Sequence, residues 1–199
     1  MDANLKKIMK DLLVSIQQIN YVQSANIPNI NLYMDQVTTF MEEELESTKR
    51  YPEDKILTKT MINNYAKNHL LPSPEKKKYT KEHVLLLTFI YYFKQILSIK
   101  DIETILKPIT ENYFEAYGSI DIAQIYDEIV DFEKSRIKGV MKDVVRTFTS
   151  SMECFDDVEG LSEEELEYLK KFTFICTLSF DVYIKKRLIE TMIDDLNET

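Results

Sequence analysis

The sequence has 199 residues, which is enough for one or two domains with a properly buried core. Only three glycines and five prolines occur, so the composition favours long helices and leaves few positions for β-turns. The two cysteines are too few for a disulfide framework or a zinc cluster, and the net charge of −9 argues at first against a nucleic-acid partner.

The first element that the sequence predicts is an amphipathic helix close to the N-terminus. Its apolar residues recur at helical spacing from Leu5 to Ile19. Charged residues such as Lys6 and Asp11 interrupt any apolar stretch, so we expect no signal peptide and a cytoplasmic protein. Acids and glutamines line the polar face, which favours core packing over membrane binding. Residues 1–30 are therefore predicted to be an N-terminal helix followed by a linker.

A second helix is predicted from Leu32 to Ser47. Val37, Phe40 and Met41 lie on its apolar side, and a group of solvated glutamates lies on the other side. We expect this segment to be the first helix of a helix-turn-helix. Its acidic end cannot lie against phosphate, so that end is expected to point away from any bound DNA.

The next helix is a short polar one, predicted from residue 59 to residue 70. Thr58 is its predicted N-cap, because a threonine hydroxyl can accept from an unpaired N–H of the first turn. Ile62 and Tyr65 belong to its buried stripe. Amide side chains pair with adenine and lysines with guanine in the major groove. The opposite stripe is therefore predicted to contact base edges, and it consists of Lys59, Thr60, Asn63, Asn64 and Lys67.

A lysine-rich turn follows this helix. Pro72 and Pro74 stop the helix and stiffen the segment after it, where we expect at most a short two-stranded wing near residues 71–79. Adjacent ammonium groups suit a phosphate backbone, because each lysine that neutralises a phosphate releases a counterion. The predicted phosphate contacts are Thr58, Lys76, Lys77, Lys78 and Tyr79.

Two apolar helices are predicted after the lysines. Thr80 is the predicted N-cap of the first, whose apolar residues repeat at intervals of three and four. Ser98 with Asp101 resembles a capping box that opens the second helix, and Lys107-Pro108 is predicted to end this region. A winged helix-turn-helix consists of such parts: a helix that contacts bases, a wing that contacts phosphates, and helices that pack against both.

The distribution of charge reverses the first impression from the net charge. From Lys49 to His83 there are nine Lys/Arg and four Asp/Glu, which gives a local charge of +5 and leaves −14 for the rest. An acidic body with one basic island is typical of a DNA-binding protein with a repelling back face. The alternative is that such charge runs are simply solvated helix faces.

The same region resembles the MerR-type winged helix-turn-helix over about residues 31–107. The resemblance rests on the run YAKNHLLPSP from Tyr65, the pair Tyr79-Thr80, the run LSIKDI from Leu97, and the apolar positions Val84, Leu87, Ile90, Ile105 and Leu106. It implies a DNA-binding domain at residues 31–110 of a transcription regulator. It also implies double-stranded DNA as a partner, and a homodimer built by helices after that domain.

The sequence departs from the MerR pattern in three places. His69 stands where a glycine usually ends the reading helix, and Asn63 stands where an arginine supplies a phosphate-binding charge. The wing is short and has lysines where arginines are common. The chain as a whole looks still more like a set of small, uncharacterised bacterial proteins of unknown function. The segments that carry this second resemblance start at Leu32 and Thr58.

The C-terminal half is predicted to be a helical dimerisation or regulatory region over residues 119–199, after a loop at residues 111–119. Asp121 with Gln124 opens one long helix, and Ser162 with Glu165 opens another. The last helix is apolar nearly all round from residue 172 to residue 184, so it is either the central helix of a bundle or partly covered by a second subunit. The resemblance favours the dimer, with a predicted interface at Phe172, Ile175, Leu178 and Val182.

Signs of catalytic chemistry are missing from the sequence. It has no glycine-rich phosphate loop, and His69 and His83 have no cysteine or paired acid at metal-ligand spacing. We therefore expect no enzyme activity, no metal, no cofactor and no membrane partner; the sequence names no effector. Two hypotheses remain: a DNA-binding regulator, or a helical protein–protein interaction module that kept a helix-turn-helix shape. An exposed surface at Asn63, Asn64 and Lys67, continuous with the lysines, favours the regulator.

Overall fold

A computed structural model describes residues 3–17, 21–115 and 118–198. Within them the chain forms seven α-helices and a two-stranded antiparallel sheet, which confirms the expectation of a mainly helical protein. Two short 3-10 turns lie at Ser24–Asn26 and Glu46–Thr48. The elements are α1 (Ala3–Gln17), β1 (Leu32–Tyr33), α2 (Met34–Leu45), α3 (Lys59–Lys67), β2 (Lys78–Tyr79), α4 (Lys81–Phe93), α5 (Ile99–Tyr113), α6 (Ile122–Ser151) and α7 (Glu163–Glu198).

The described residues divide into two compact units. The motif unit comprises residues 21–115, 118–133 and 190–198, and the helical unit comprises residues 3–17 and 134–189. Both α6 and α7 therefore contribute residues to each unit. The domain boundaries drawn from the sequence, at residue 30 and at residues 110–119, stay predictions.

The sheet of the motif unit joins two segments that are far apart in the sequence. Leu32 pairs with Tyr79 and Tyr33 pairs with Lys78, in antiparallel register. The prediction of a helix that begins at Leu32 is therefore wrong, because a distant partner holds this residue in extended conformation. The helix begins at Met34 instead, after the Tyr33 N–H has donated to the Gln36 side chain at 2.8 Å.

The central helix of the motif unit is α4. Val84, Leu85, Leu86 and Leu87 are each 0% exposed. Four consecutive helical residues point in different directions, so α4 is covered on every side. This helix packs against α2 and β2, and its burial fixes where the lysine-rich segment meets the rest of the unit.

The fifth helix confirms one prediction and corrects another. The Ser98–Asp101 capping box is present, since the Asp101 N–H donates to Ser98 Oγ at 3.2 Å and the Ser98 N–H donates to Asp101 Oδ2 at 3.1 Å. The predicted end at Lys107-Pro108 is wrong, because α5 continues through Pro108 to Tyr113. Burial of the α5 stripe, which includes Ile102 at 0% exposed, offsets the N–H that the proline lacks.

The helical unit has a small core of its own. Met9, Phe148, Met152 and Phe174 are buried together, and the rings of Phe148 and Phe174 meet edge to face at 5.1 Å. Packing of α1 against this core agrees with its amphipathic pattern. The side chain of Leu5 and all of residues 18–20 lie outside the described residues.

The helix starts predicted for this half are confirmed. The Gln124 N–H donates to Asp121 Oδ1 at 2.8 Å at the start of α6. At the start of α7 the Glu165 N–H donates to Ser162 Oγ at 3.3 Å, and the Ser162 N–H donates to Glu165 Oε2 at 2.9 Å. None of the described helices is both long and apolar enough to cross a membrane.

Candidate nucleic-acid interface

The short polar helix α3 presents its predicted binding side to solvent. The Met61 N–H donates to Thr58 Oγ1 at 3.2 Å, so Thr58 is the N-cap as predicted. Ile62 is 0% exposed and Tyr65 is 6% exposed, which anchors one side of the helix in the motif unit. The opposite side is exposed at every predicted position; we call it the reading face, and it consists of Lys59, Thr60, Asn63, Asn64 and Lys67.

The end of α3 has the left-handed backbone geometry that glycine usually adopts there, although the residue is a histidine. His69 has a φ of 59°, in the left-handed region. Its N–H donates to the Ala66 carbonyl at 3.3 Å, and the Leu70 N–H donates to the Tyr65 carbonyl at 3.0 Å. These two bonds form a Schellman motif, in which the left-handed residue is usually glycine. The helix therefore ends at Lys67, somewhat earlier than predicted.

The predicted lysine wing is a tight hairpin turn. Glu75 and Lys78 form an antiparallel bridge, and the Lys78 N–H donates to the Glu75 carbonyl at 2.9 Å. Lys76 and Lys77, at the tip, have φ values of 49° and 64°. Positive φ at both central residues is the requirement of a type I′ turn, which Asn-Gly normally satisfies. We call residues 75–78 the lysine turn; its tip holds two exposed ammonium groups.

Two side-chain contacts connect the lysine turn with the reading face. Lys78 Nζ lies 5.4 Å from the ring centroid of Tyr33, its partner across the sheet, and Tyr33 is 55% exposed. Asp35, in the first turn of α2, forms an ion pair with Lys59. Tyr33 and Asp35 lie two residues apart at the junction of β1 and α2, so the lysine turn and the start of α3 each contact this exposed junction.

The Asp35–Lys59 ion pair places an acid inside this basic surface. Both side chains are largely exposed, at 75% for Asp35 and 60% for Lys59. Exposed ion pairs contribute only about 0–1 kcal/mol, so an incoming phosphate can compete for the lysine. Sequence reasoning considered neither Asp35 nor Tyr33 as site residues. No local pattern indicates their role, which follows from the pairing of β1 with β2.

Tyr79 lies inside the motif unit and away from the exposed surface. It is 3% exposed, its ring meets His83 edge to face at 5.5 Å, and burial raises the pKa of its phenol. The tyrosine that the sheet exposes is Tyr33 of β1, so Tyr33 takes the place of Tyr79 among our proposed contacts. Alternation along a strand is the signal that was missed, since Lys78 and Tyr79 must face opposite sides.

His83 is a buried residue that packs against Tyr79 of β2. It is 2% exposed, and its Nδ1 accepts from the Thr80 N–H at 3.0 Å, which caps α4. Its ring also meets that of Phe114 edge to face at 4.8 Å. Burial lowers the pKa of this imidazole to about 4, although the Pro72 carbonyl and Glu82 partly oppose the shift. His83 is therefore neutral at neutral pH.

The predicted dimer residues divide between two environments. Phe172, Ile175 and Val182 are 51%, 61% and 55% exposed. Leu178 instead packs against the core of its own helical unit, next to Phe174. Three of the four residues are therefore available on the surface of α7, and one is not.

The described residues contain no group of three or more His, Cys, Asp or Glu side chains placed to hold a metal ion. Cys154 and Cys176 are both free thiols.

Comparison with known proteins identifies one family. A family model described as a domain of unknown function (DUF1836) matches residues 22–129. This stretch includes the sheet, α2 to α5 and the reading face, whereas the helical unit lies outside it. Searches of curated proteins and of solved structures found no significant match.

Proposed function

This chain belongs to the DUF1836 family, and we propose that it is a DNA-binding transcription regulator of the MerR type. In this proposal α3 inserts its reading face into the major groove, and the lysine turn grips the phosphate backbone. The observation that carries the proposal is that both parts are exposed and both contact the junction of β1 and α2, the lysine turn through Lys78 and Tyr33 and the start of α3 through Lys59 and Asp35.

The dimensions of α3 suit the major groove. The helix has 9 residues, and an α-helix with its side chains is about 10–12 Å across. The major groove of B-DNA is about 12 Å wide and admits an α-helix. Asn63 and Asn64 lie on the exposed side of this helix, where their amides can pair with adenine N6 and N7.

The order of elements supports a winged helix-turn-helix. Two helices, α2 and α3, pack together and are followed by a hairpin whose second strand pairs with β1, just before α2. α4 follows and packs against β2, where its His83 meets the ring of Tyr79. The lysine turn thus projects from a strand that the sheet anchors, which holds its charges in place beside the reading face.

The proposal assigns different tasks to the two parts of the surface. Lys76, Lys77 and Lys78 contact phosphates, which position the protein but carry no sequence information. Lys59 was predicted to contact a base edge, but its place at the start of α3 beside Asp35 suits a phosphate, which it contacts once that phosphate has displaced Asp35. Asn63, Asn64 and Lys67 contact base edges and supply specificity, with each good bidentate contact discriminating by roughly 1–3 kcal/mol.

Selection of bound sequences from random duplex DNA tests the proposal, followed by titrations of variants on the selected site at several salt concentrations. Replacing Lys76, Lys77 and Lys78 by alanine should weaken binding to every duplex about equally. It should also lower the slope of affinity against salt by up to about three units. The matched control is alanine at three exposed lysines elsewhere, Lys10, Lys107 and Lys185.

The reading face is tested by Asn64→Ala, with Asn29→Ala as the control at another exposed asparagine. Asn64→Ala should lower affinity for the selected site by roughly 1–3 kcal/mol and leave binding to random DNA almost unchanged. If the unmodified protein shows no salt-sensitive binding to duplex DNA even at low ionic strength, the regulator proposal is wrong.

We further propose that the regulator is a homodimer formed through α7. Tyr168, Phe172, Ile175 and Val182 are all more than half exposed and follow one another at spacings of four, three and seven. That spacing keeps them on one stripe of the helix, as in a coiled-coil seam. Leu178 is not part of this stripe, because it packs into the core of its own helical unit.

One observation favours the second candidate function, a protein–protein interaction module. The exposed apolar side chains of α7 also include Phe180, Ile184 and Leu188, more than a single seam would bury. An interaction module that does not bind DNA would use such surfaces for other proteins. The DNA selection decides between the two functions, because a module of that kind would enrich no sequence.

A further inference from the structure

The helical unit has an apolar groove that no part of the proposed DNA-binding function uses. Its volume is about 420 Å³, and Leu13 of α1 with Met141 and Val145 of α6 form its apolar lining. The groove is shallow and open, so it would cover one side of a ligand and not enclose it as the usual small-molecule sites do. Leu13, Met141 and Val145 are all partly exposed, so the groove is open to solvent.

Two lysines stand at the edge of this groove. Lys138 and Lys142 are four residues apart on α6, which brings their side chains onto the same side of the helix, about 6 Å apart along its axis. Both are exposed, and neither has a hydrogen-bond or ion-pair partner among the described residues. The nearby acid Asp143 is paired with Arg146.

We propose that this groove binds a small anion with an apolar body, such as a medium-chain carboxylate. The apolar lining removes the chain from water, which favours binding in proportion to the apolar area buried. The two ammonium groups attract the carboxylate and disfavour a cationic head group. A purely polar anion such as inorganic phosphate would gain nothing from the lining. The assignment does not depend on whether the motif unit binds DNA.

Calorimetric titration of the full chain with decanoate, at concentrations below micelle formation, tests the proposal. One saturable site is expected. Replacing both Lys138 and Lys142 by alanine should weaken decanoate binding about three- to tenfold, since each exposed charge pair contributes modestly. The matched control removes two exposed lysines outside the groove, Lys107 and Lys185, and should leave the affinity unchanged.

Two further probes keep the test decisive. Decyltrimethylammonium has an apolar chain of nearly the same length but a positive head, and it should bind at least tenfold more weakly than decanoate. Met141→Glu puts a negative charge into the lining and should abolish decanoate binding while the helical circular dichroism spectrum is retained. Absence of a saturable site, equal affinity of the double lysine variant, or equal binding of the cation would each overturn the assignment.

Discussion

The buried histidine His83 makes the stability of this protein depend on pH in a way that can be calculated. Its pKa is lowered from 6.5 to about 4 in the folded chain, because burial disfavours the charged imidazolium. Between these two values the unfolded chain binds a proton that the folded chain does not. The contribution of His83 to stability is therefore fully present above about pH 6.5 and is lost as the pH falls towards 4.

The size of this effect follows from the two pKa values. With 6.5 in the unfolded chain and about 4 in the folded chain, lowering the pH from 7.5 to 5 should lower the free energy of unfolding by about 2 kcal/mol through His83 alone. At 2% exposed the imidazole has little access to water that could screen the effect. Protonation would also remove the acceptor at Nδ1 that caps α4 through Thr80.

Urea denaturation of the unmodified protein and of His83→Gln, at a series of pH values, measures this contribution. Glutamine at this position can still accept from the Thr80 N–H, as in an ordinary capping box, but it does not titrate. The variant should be less stable than the unmodified protein at pH 7.5, because it loses packing against Tyr79 and Phe114. The difference between the two proteins should shrink by about 2 kcal/mol between pH 7.5 and pH 5.

The control is His69→Asn, at the only other histidine, which is exposed and has a left-handed backbone that asparagine tolerates. This variant should keep the pH dependence of the unmodified protein. If His83→Gln loses stability with falling pH as steeply as the unmodified protein does, the reasoning about the buried imidazole is refuted.

Two further predictions concern charge on the basic surface and the face of α7. Asp35→Asn removes the acid that competes with phosphate for Lys59, so in salt titrations affinity for random duplex DNA should rise while the salt slope stays about the same, because Lys59 contacts a phosphate in both proteins; an unchanged affinity would contradict the contact of Lys59 with phosphate. Ile175→Glu should convert a dimer of about twice the 23.5 kDa chain mass into a monomer, as measured by light scattering on a sizing column. The control Val158→Glu changes an exposed turn residue and should leave the dimer intact. An unmodified protein that is monomeric at tens of micromolar would contradict the dimer proposal.

Features that depend on neighbouring residues were predictable from the sequence. The N-cap Thr58 and the capping pairs at Ser98 and Ser162 are all present. Each is a hydrogen bond between residues three apart, so the sequence already contains both partners. The exposed side of α3 was predictable as well, because the helical spacing of its apolar residues shows which side of the helix is buried.

Features that depend on distant partners were not predictable in this way. Leu32 has an apolar side chain and precedes a helical pattern, but pairing with Tyr79 makes it a strand residue. The helix expected to be covered on every side was the last one, with its apolar run from Phe172 to Ile184. In the structure the helix that is covered on every side is α4, whereas Phe172 and Ile184 of α7 are more than half exposed. Composition shows that a helix is apolar but does not show which neighbours cover it.

At the tip of the lysine turn, the loss of folding stability caused by the left-handed backbone can be measured separately from the gain in DNA affinity. Lys76 and Lys77 both have left-handed backbones, which costs a side-chain-bearing residue roughly 1–2 kcal/mol relative to glycine. Asn-Gly is the pair that such a turn favours, but it carries no charge. Lysines at these positions therefore lower the stability of the turn. Contact with phosphates explains why charged residues stand there.

Replacing Lys76 by Asn and Lys77 by Gly should consequently stabilise the protein while weakening its binding to DNA. We expect a gain of about 1–3 kcal/mol in the free energy of unfolding, or roughly 2–12 °C in melting temperature for a chain of this size. Glutamine at both positions is the matched control, because it removes the same charges without relieving the backbone. Both variants should lose DNA affinity to the same extent, and only the Asn-Gly variant should become more stable. If the two are equally stable, the turn is not strained; if DNA affinity is unchanged in both, Lys76 and Lys77 do not contact phosphate.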